Sequence, residues 1–242
     1  MNRVKRAIIM AAGKGNRMRP LTERIPKPLV CVRGKRMIES VIDALHENGI
    51  REIWVVTGYL KEQFRFLEEK YPGLTIIENP FYDSCNNISS LYVARDHLEE
   101  AIILDGDQII LDPAILSPEF EASGYGGIFT EDETDEWLMK TDAAGYVTAC
   151  SRDGGREGWQ LFSVSRWTKE DGRRLKGHLE IEFEEKKNRQ IYWDDVPMFC
   201  HFEEYRLKVF PMTAGSIMEI DSLAELAAAD PEYEENQGLP QS

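Results

Sequence analysis

The chain has 242 residues, 42% of them hydrophobic and 30% charged, which is enough for one sizeable core and is the balance of a soluble globular protein. Its net charge of −14 at pH 7 argues against non-specific binding to nucleic acid or to an anionic membrane. No apolar run approaches a membrane span, the short basic N-terminus lacks a signal-peptide core, and Cys31, Cys85, Cys150 and Cys200 are too scattered for a zinc site or disulfide framework, so reduced thiols in a cytoplasmic protein are expected.

Ala7-Ile8-Ile9-Met10 is a continuous apolar run, the pattern of a strand buried on both faces of a parallel sheet. Directly after it come Ala11-Ala12-Gly13-Lys14-Gly15-Asn16-Arg17-Met18-Arg19-Pro20 and then Pro26-Lys27-Pro28-Leu29-Val30. Gly13 and Gly15 let the main chain turn sharply and bring its N–H groups close to a polyanion. Lys14, Arg17, Arg19 and Lys27 supply cations for phosphate oxygens, so the stretch reads as a triphosphate site. A dinucleotide fingerprint would need a third glycine where Met18 stands, and a P-loop would need a Gly-Lys-Ser/Thr ending. Taken alone, the loop is also compatible with an ordinary strand-to-helix turn bearing solvated charges.

Met37, Ile38, Val41, Ile42 and Leu45 repeat at helical spacing, with Gly49 where a C-cap glycine belongs. Strands follow at Ile53–Val56, Leu74–Ile77 and Ile102–Leu104, with helices through Phe64 and Leu67 and over Ile88–Leu98. This alternation predicts an α/β fold with a Rossmann-like, mixed but mostly parallel sheet flanked by helices. After Pro113 come short strands at 124–129, 137–139, 146–148 and 160–164, which suggest a smaller antiparallel extension. A charged helix is expected over Thr168–Lys187, broken near Gly172 and Gly177, then a strand at Ile217–Ile220 and a helix from Leu223. One domain over 1–230 results, with a nucleotide-binding half at 5–112 and an acceptor-binding half at 113–220. The polar, acidic stretch 231–242 is expected to be disordered.

Leu104-Asp105-Gly106-Asp107 places acids at the carboxyl end of an apolar strand, the edge where open α/β sheets bind ligands. A lone Asp-Gly-Asp more often shapes a turn. Met218-Glu219-Ile220-Asp221-Ser222 offers a second acid, and because Ser222 with Glu225 already forms a capping box, Asp221 need not serve as the helix cap. Trp137 follows Asp135 and Glu136, and Tyr192-Trp193 precede Asp194 and Asp195. Aromatic faces beside acids suit a quaternary ammonium, although periodicity alone would place these rings in the core.

The glycine loop, Pro26-Lys27-Pro28-Leu29-Val30 and Gly34-Lys35-Arg36-Met37-Ile38-Glu39 together resemble the nucleotidylyltransferase family, which joins a nucleoside triphosphate to a sugar or alcohol phosphate. T-x-E-W, Y-W-D, M-E-I-D-S, Gly58–Phe64 and Asn79-Pro80 through Leu91 look most like its bacterial phosphocholine cytidylyltransferases, over about residues 5–228. The resemblance implies a nucleotide-diphospho-sugar transferase-like fold, CTP and phosphocholine as substrates, and Mg2+ held by Asp107 and Asp221. It implies catalytic roles for Lys27, Arg17 and Lys14, and nucleotide contacts from Ala11, Ala12, Gly13, Gly15, Asp105, Asn86 and Asn87. The two amides would read the base edge, or else form a helix-leading cap. The acceptor would lie against Trp137, Tyr192, Trp193, Asp194 and Glu219. Asn16 stands where Ser or Thr is usual, Arg36 replaces a proline, and Asp142–Trp159 matches poorly. Another small phosphate or phosphonate such as 2-aminoethylphosphonate, a sugar-1-phosphate, or a silent nucleotide-sensing module are the competing readings. A primary amine would call for carboxylates more than for aromatic faces.

Overall fold

In the computed structural model, which describes residues 1–233, β1 (Arg6–Ala11), α1 (Met37–Glu47), β2 (Glu52–Thr57), α2 (Phe66–Lys70), β3 (Leu74–Glu78), α3 (Ile88–Val93) and β4 (Ala101–Asp105) alternate as the apolar pattern requires. β1 lies between β2 and β4, with β3 beyond β2, and all these pairings are parallel. Alternate residues of β1 serve two cores: Ala7, Ile9 and Ala11 pack with α1 on one face, while Ile8 and Met10 pack with Trp167 and Leu175 on the other. Burial on both faces explains the unbroken apolar run.

The second half contributes β5 (Gln108–Ile110), β6 (Gly124–Thr130), β7 (Leu138–Thr141), β8 (Val147–Ser151), β9 (Gly158–Trp167), α4 (Lys169–Glu180), β10 (Lys208–Pro211), β11 (Ile217–Glu219) and α5 (Leu223–Ala229). β9 joins the two halves. Val164–Trp167 pair antiparallel with β4, whereas Trp159 and Gln160 pair with β7, and β6 runs along the other edge. The sheet is thus parallel through β3-β2-β1-β4 and antiparallel beyond, except for the parallel β6–β10 pair. Apart from the main sheet, β5 and β11 form an antiparallel pair in which Glu219 opposes Gln108.

Several expected boundaries move. The helix from Ile88 ends at Val93 and gives way to a 3-10 turn over Arg95–His97. α4 passes through Gly172 and Gly177 unbroken, and its hydrogen bonding widens to a π-type stretch over Ile181–Glu185. Gly172 is needed for close packing, since a Cβ there would stand 2.2 Å from the Leu98 carbonyl oxygen. β10 has no counterpart in the predicted elements; it is recruited parallel to β6 from distant sequence. Ser222 and Glu225 form the expected capping box of α5. Tyr233 packs against the α1-side core, and the rest of the stretch expected to be disordered, residues 234–242, lies outside the described residues. No helix among the described residues is long and apolar enough to cross a membrane, and all four cysteines are free.

Candidate active site

β1 and β4 end side by side, and the chain leaves β1 at Ala11 into the glycine loop. Gly15 adopts φ +62°, a left-handed conformation, and its carbonyl accepts a hydrogen bond from the Thr22 hydroxyl at 2.8 Å. A Cβ on Gly15 would stand 2.9 Å from Thr22 and 3.0 Å from the Cβ of Lys27, so the loop lies directly against the lysine stem. Lys27 opens a 3-10 turn between Pro26 and Pro28 and is 7% exposed.

From there its ammonium donates to Asp107 Oδ2 at 2.6 Å and to Asp221 Oδ1 at 2.7 Å. Arg17 reaches the same Asp221 oxygen at 2.7 Å. Pairing of β5 with β11 makes this possible, because it brings the residues just before β5 beside those just after β11. Burial pulls the Lys27 ammonium down, but Asp107 and Asp221 outweigh it and leave its pKa above the ordinary lysine value. Lys27 is therefore a fixed cation at neutral pH.

Two cavities meet at this cluster, and another adjoins the first of them across the glycine loop. The first, about 300 Å³, is lined by Ala11, Gly13, Gly15, Arg17, Lys27 and the two aspartates. The second, about 320 Å³, lies on the other side of Gly13 and Asn16, against Ala12, Tyr82, Asn86 and Asn87. Lys14 faces this second cavity, paired with Asp83, rather than the first. Asn86 donates to the Gln190 carbonyl at 3.1 Å, and Asn87 Oδ1 accepts from the Trp193 N–H at 2.8 Å. Neither amide caps α3 with its side chain. Both line the cavity while tethering residues 190–193.

The third cavity, about 330 Å³, shares Arg17, Lys27, Asp107 and Asp221 with the first and extends to Trp137, Tyr192, Asp105, Glu136, Asp194 and Glu219. Trp137 and Tyr192 meet edge-on, centroids 5.9 Å apart at 86°. Trp193 does not join them. It is fully buried, stacked on Tyr125 at 5.8 Å and edge-on to Trp167 at 6.1 Å, so Trp193, expected to face the acceptor, does not line this cavity. Successive residues of this turn point opposite ways, with Tyr192 outward at 49% exposure.

The carboxylates of this cavity are electrostatically strained. Burial, then Asp107, Asp194 and Glu219, push the Asp105 carboxyl well above its usual range, against a hydrogen bond from Ser163. Asp194 is 7% exposed; burial raises it to about 7, and its Oδ1 has no hydrogen-bond partner among the described residues. Glu219 is open to the cavity but enclosed by protein on its other sides. That enclosure, reinforced by Asp107, Asp221 and Glu136, raises it to about 7 despite a 2.8 Å hydrogen bond from Gln108. Such groups favour a cation among them.

Asp107 and Asp221 also suit a divalent cation. Their hard oxygen donors converge on one positive charge, and Mg2+ is commonly held by one or two carboxylates with phosphate oxygens completing its shell. Glu136 is marked in the sequence only as an acid beside Trp137, and Asp83 carries no signal there. The two departures from the family pattern resolve differently. Arg36 pairs with Glu39 and lies 4.6 Å over Phe66, a packing role, while Asn16 lines the junction of the first two cavities.

The model of the MobA-like NTP transferase domain matches residues 7–176. The chain belongs to this family. Among relatives, 2-aminoethylphosphonate cytidylyltransferase of Lancefieldella rimae is 42% identical over 229 residues, covering 94% of this chain and 92% of that protein. Choline-phosphate cytidylyltransferase of Streptococcus pneumoniae is 33% identical over 220 residues, 91% and 94% of the two chains. The solved structure of CTP:phosphocholine cytidylyltransferase from Streptococcus pneumoniae superposes with a TM-score of 0.88 at 34% identity, covering 95% of this chain and 98% of that one. The mixed, mostly parallel sheet with flanking helices is therefore the nucleotidyltransferase architecture that the sequence resemblance implied.

Proposed function

We propose that this MobA-like transferase moves CMP from CTP to a short acceptor bearing a phosphonate or phosphate at one end and an ammonium at the other, releasing pyrophosphate. One observation carries the reading: the cavity rich in carboxylates opens onto the same Lys27–Asp107–Asp221 cluster as the cavity beneath the glycine loop. An acceptor whose anionic end lies at Lys27 has its other end among Asp105, Glu136, Asp194 and Glu219. Four carboxylates against two aromatic faces favour a primary ammonium, which donates hydrogen bonds, so 2-aminoethylphosphonate is the preferred acceptor. The 42% relative supports that choice. Phosphocholine, expected from sequence, is the second reading. Trp137 and Tyr192 favour it as faces for a quaternary ammonium, as do the choline-phosphate relatives.

In this reading an acceptor oxygen attacks the α-phosphorus in line with the bond to pyrophosphate, and that bond breaks as the new one forms. The attacking group is already anionic, so no general base is needed, and catalysis rests on placement and charge neutralisation. Lys27 neutralises charge where acceptor and α-phosphate meet. Arg17 serves the outer phosphates, and Lys14 joins it by exchanging Asp83 for phosphate. Main-chain groups from Ala11 to Gly15 line the phosphate path, and Asn86 and Asn87 face the base. Asp107 and Asp221 would hold Mg2+, which when bound neutralises phosphate oxygens that this acidic chain would otherwise repel. Free cysteines fit a cytoplasmic setting.

The test is pyrophosphate release with Mg2+, each nucleoside triphosphate in turn, and an acceptor panel of 2-aminoethylphosphonate, phosphocholine, phosphoethanolamine and glucose-1-phosphate. CTP with an ammonium-bearing acceptor should be turned over best. Preference for the sugar phosphate would overturn the reading.

A further inference from the structure

Arg152 stands in the turn after β8. Its Nε donates to Asp195 Oδ1 at 2.7 Å, and a second guanidinium nitrogen reaches the same oxygen. Asp195 is buried, and its other oxygen accepts the Tyr192 main-chain N–H at 2.8 Å. The guanidinium carbon also lies 3.5 Å from the Phe199 ring centroid and 5.7 Å from that of Trp137. Phe199 in turn meets Trp137 edge-on at 5.5 Å. One side chain thus connects, by charge on one side and by its face on the other, the two segments that supply Trp137 and Tyr192.

We propose that Arg152 is a positioning residue for the acceptor: through Asp195 and Phe199 it sets the separation and angle of the Trp137 and Tyr192 walls. The inference rests on reading the third cavity as the acceptor subsite. Arg152 itself does not line that cavity, and its side chain is 46% exposed, so removing it leaves no core void. What goes is the only link among the described residues that joins Asp195 to the Trp137 side of the cavity by both an ion pair and a ring contact. A planar guanidinium makes both contacts at once. Lysine keeps the charge but not the stacking plane.

The experiment is steady-state kinetics of Arg152→Ala and Arg152→Lys with 2-aminoethylphosphonate and with phosphocholine, alongside thermal melting. Arg152→Ala should raise the acceptor KM about tenfold, which is about 1.4 kcal/mol, with the CTP KM unchanged and kcat within about threefold. Arg152→Lys should recover part of the loss. Adding Asp195→Asn to Arg152→Ala should add little, because both act through one contact. An unchanged acceptor KM in Arg152→Ala would overturn the proposal, and so would a parallel rise of both KM values with a lowered Tm. Should the alanine variant not fold, Arg152→Lys against Arg152→Gln carries the same comparison. Wild-type enzyme that turns over neither acceptor would defeat the functional reading itself; turnover with indifferent Arg152 variants would defeat only this inference.

Discussion

Replacing Lys27 with alanine removes the one cation, among the described residues, that touches both Asp107 and Asp221. Lys27 is 7% exposed, so water does not readily replace its ammonium. A unit charge about 4 Å from the reacting phosphorus contributes about 4 kcal/mol at an effective permittivity near 20. That corresponds to about three powers of ten in rate, and Arg17 beside Asp221 will recover part of it. The variant should therefore lose two to three orders of magnitude in kcat with CTP and the preferred acceptor. Because its two carboxylates are left facing each other, its Tm should also rise more on adding Mg2+ than that of wild type. Initial rates of pyrophosphate release and melting curves with and without metal measure both. Turnover within about fivefold of wild type, in a variant that melts normally, would refute the role assigned to Lys27.

The aromatic residues separate cleanly. Trp137→Ala should raise the acceptor KM by the equivalent of up to about 2 kcal/mol while leaving the CTP KM alone. Trp193→Ala, by contrast, should lower stability by about 3–5 kcal/mol in denaturant titrations, as expected for a large buried ring. The raised pKa of Asp194 has a definite sign: its contribution to stability is complete below the ordinary carboxylate range and is lost as pH rises through about 7. Asp194→Asn should therefore gain stability relative to wild type between pH 5.5 and 8.5 in the absence of ligand, read from paired melting curves. A constant difference would contradict the buried-carboxylate account. Chelating divalent metal should abolish turnover, and Asp107→Asn and Asp221→Asn should each weaken Mg2+ activation at least tenfold in a metal titration.

The convergence of Lys27, Asp107 and Asp221, which the proposed function assigns to phosphate, was legible because these residues sit at strand ends or beside a glycine turn, where chain direction is fixed by local rules. Asp105 and Asp107 follow an unmistakable strand, and the capping box at Ser222 correctly freed Asp221 from helix duty. The proposed acceptor half was harder. Residues 189–200 form turns and a π-type stretch with no simple period, so nothing in the sequence indicates that Tyr192 faces out while Trp193 faces in. Likewise β10 pairs with a strand more than eighty residues away, a contact set by packing rather than by propensity. Glu136 and Arg152 become meaningful only when the walls they belong to are assembled.

The most direct test of the central claim is a competition. With limiting CTP, Mg2+ and equimolar 2-aminoethylphosphonate and phosphocholine, phosphorus NMR reports every product at once. One pyrophosphate per CTP consumed and a CMP adduct, formed predominantly on the phosphonate, are expected. Release of CMP with neither acceptor modified would contradict that claim.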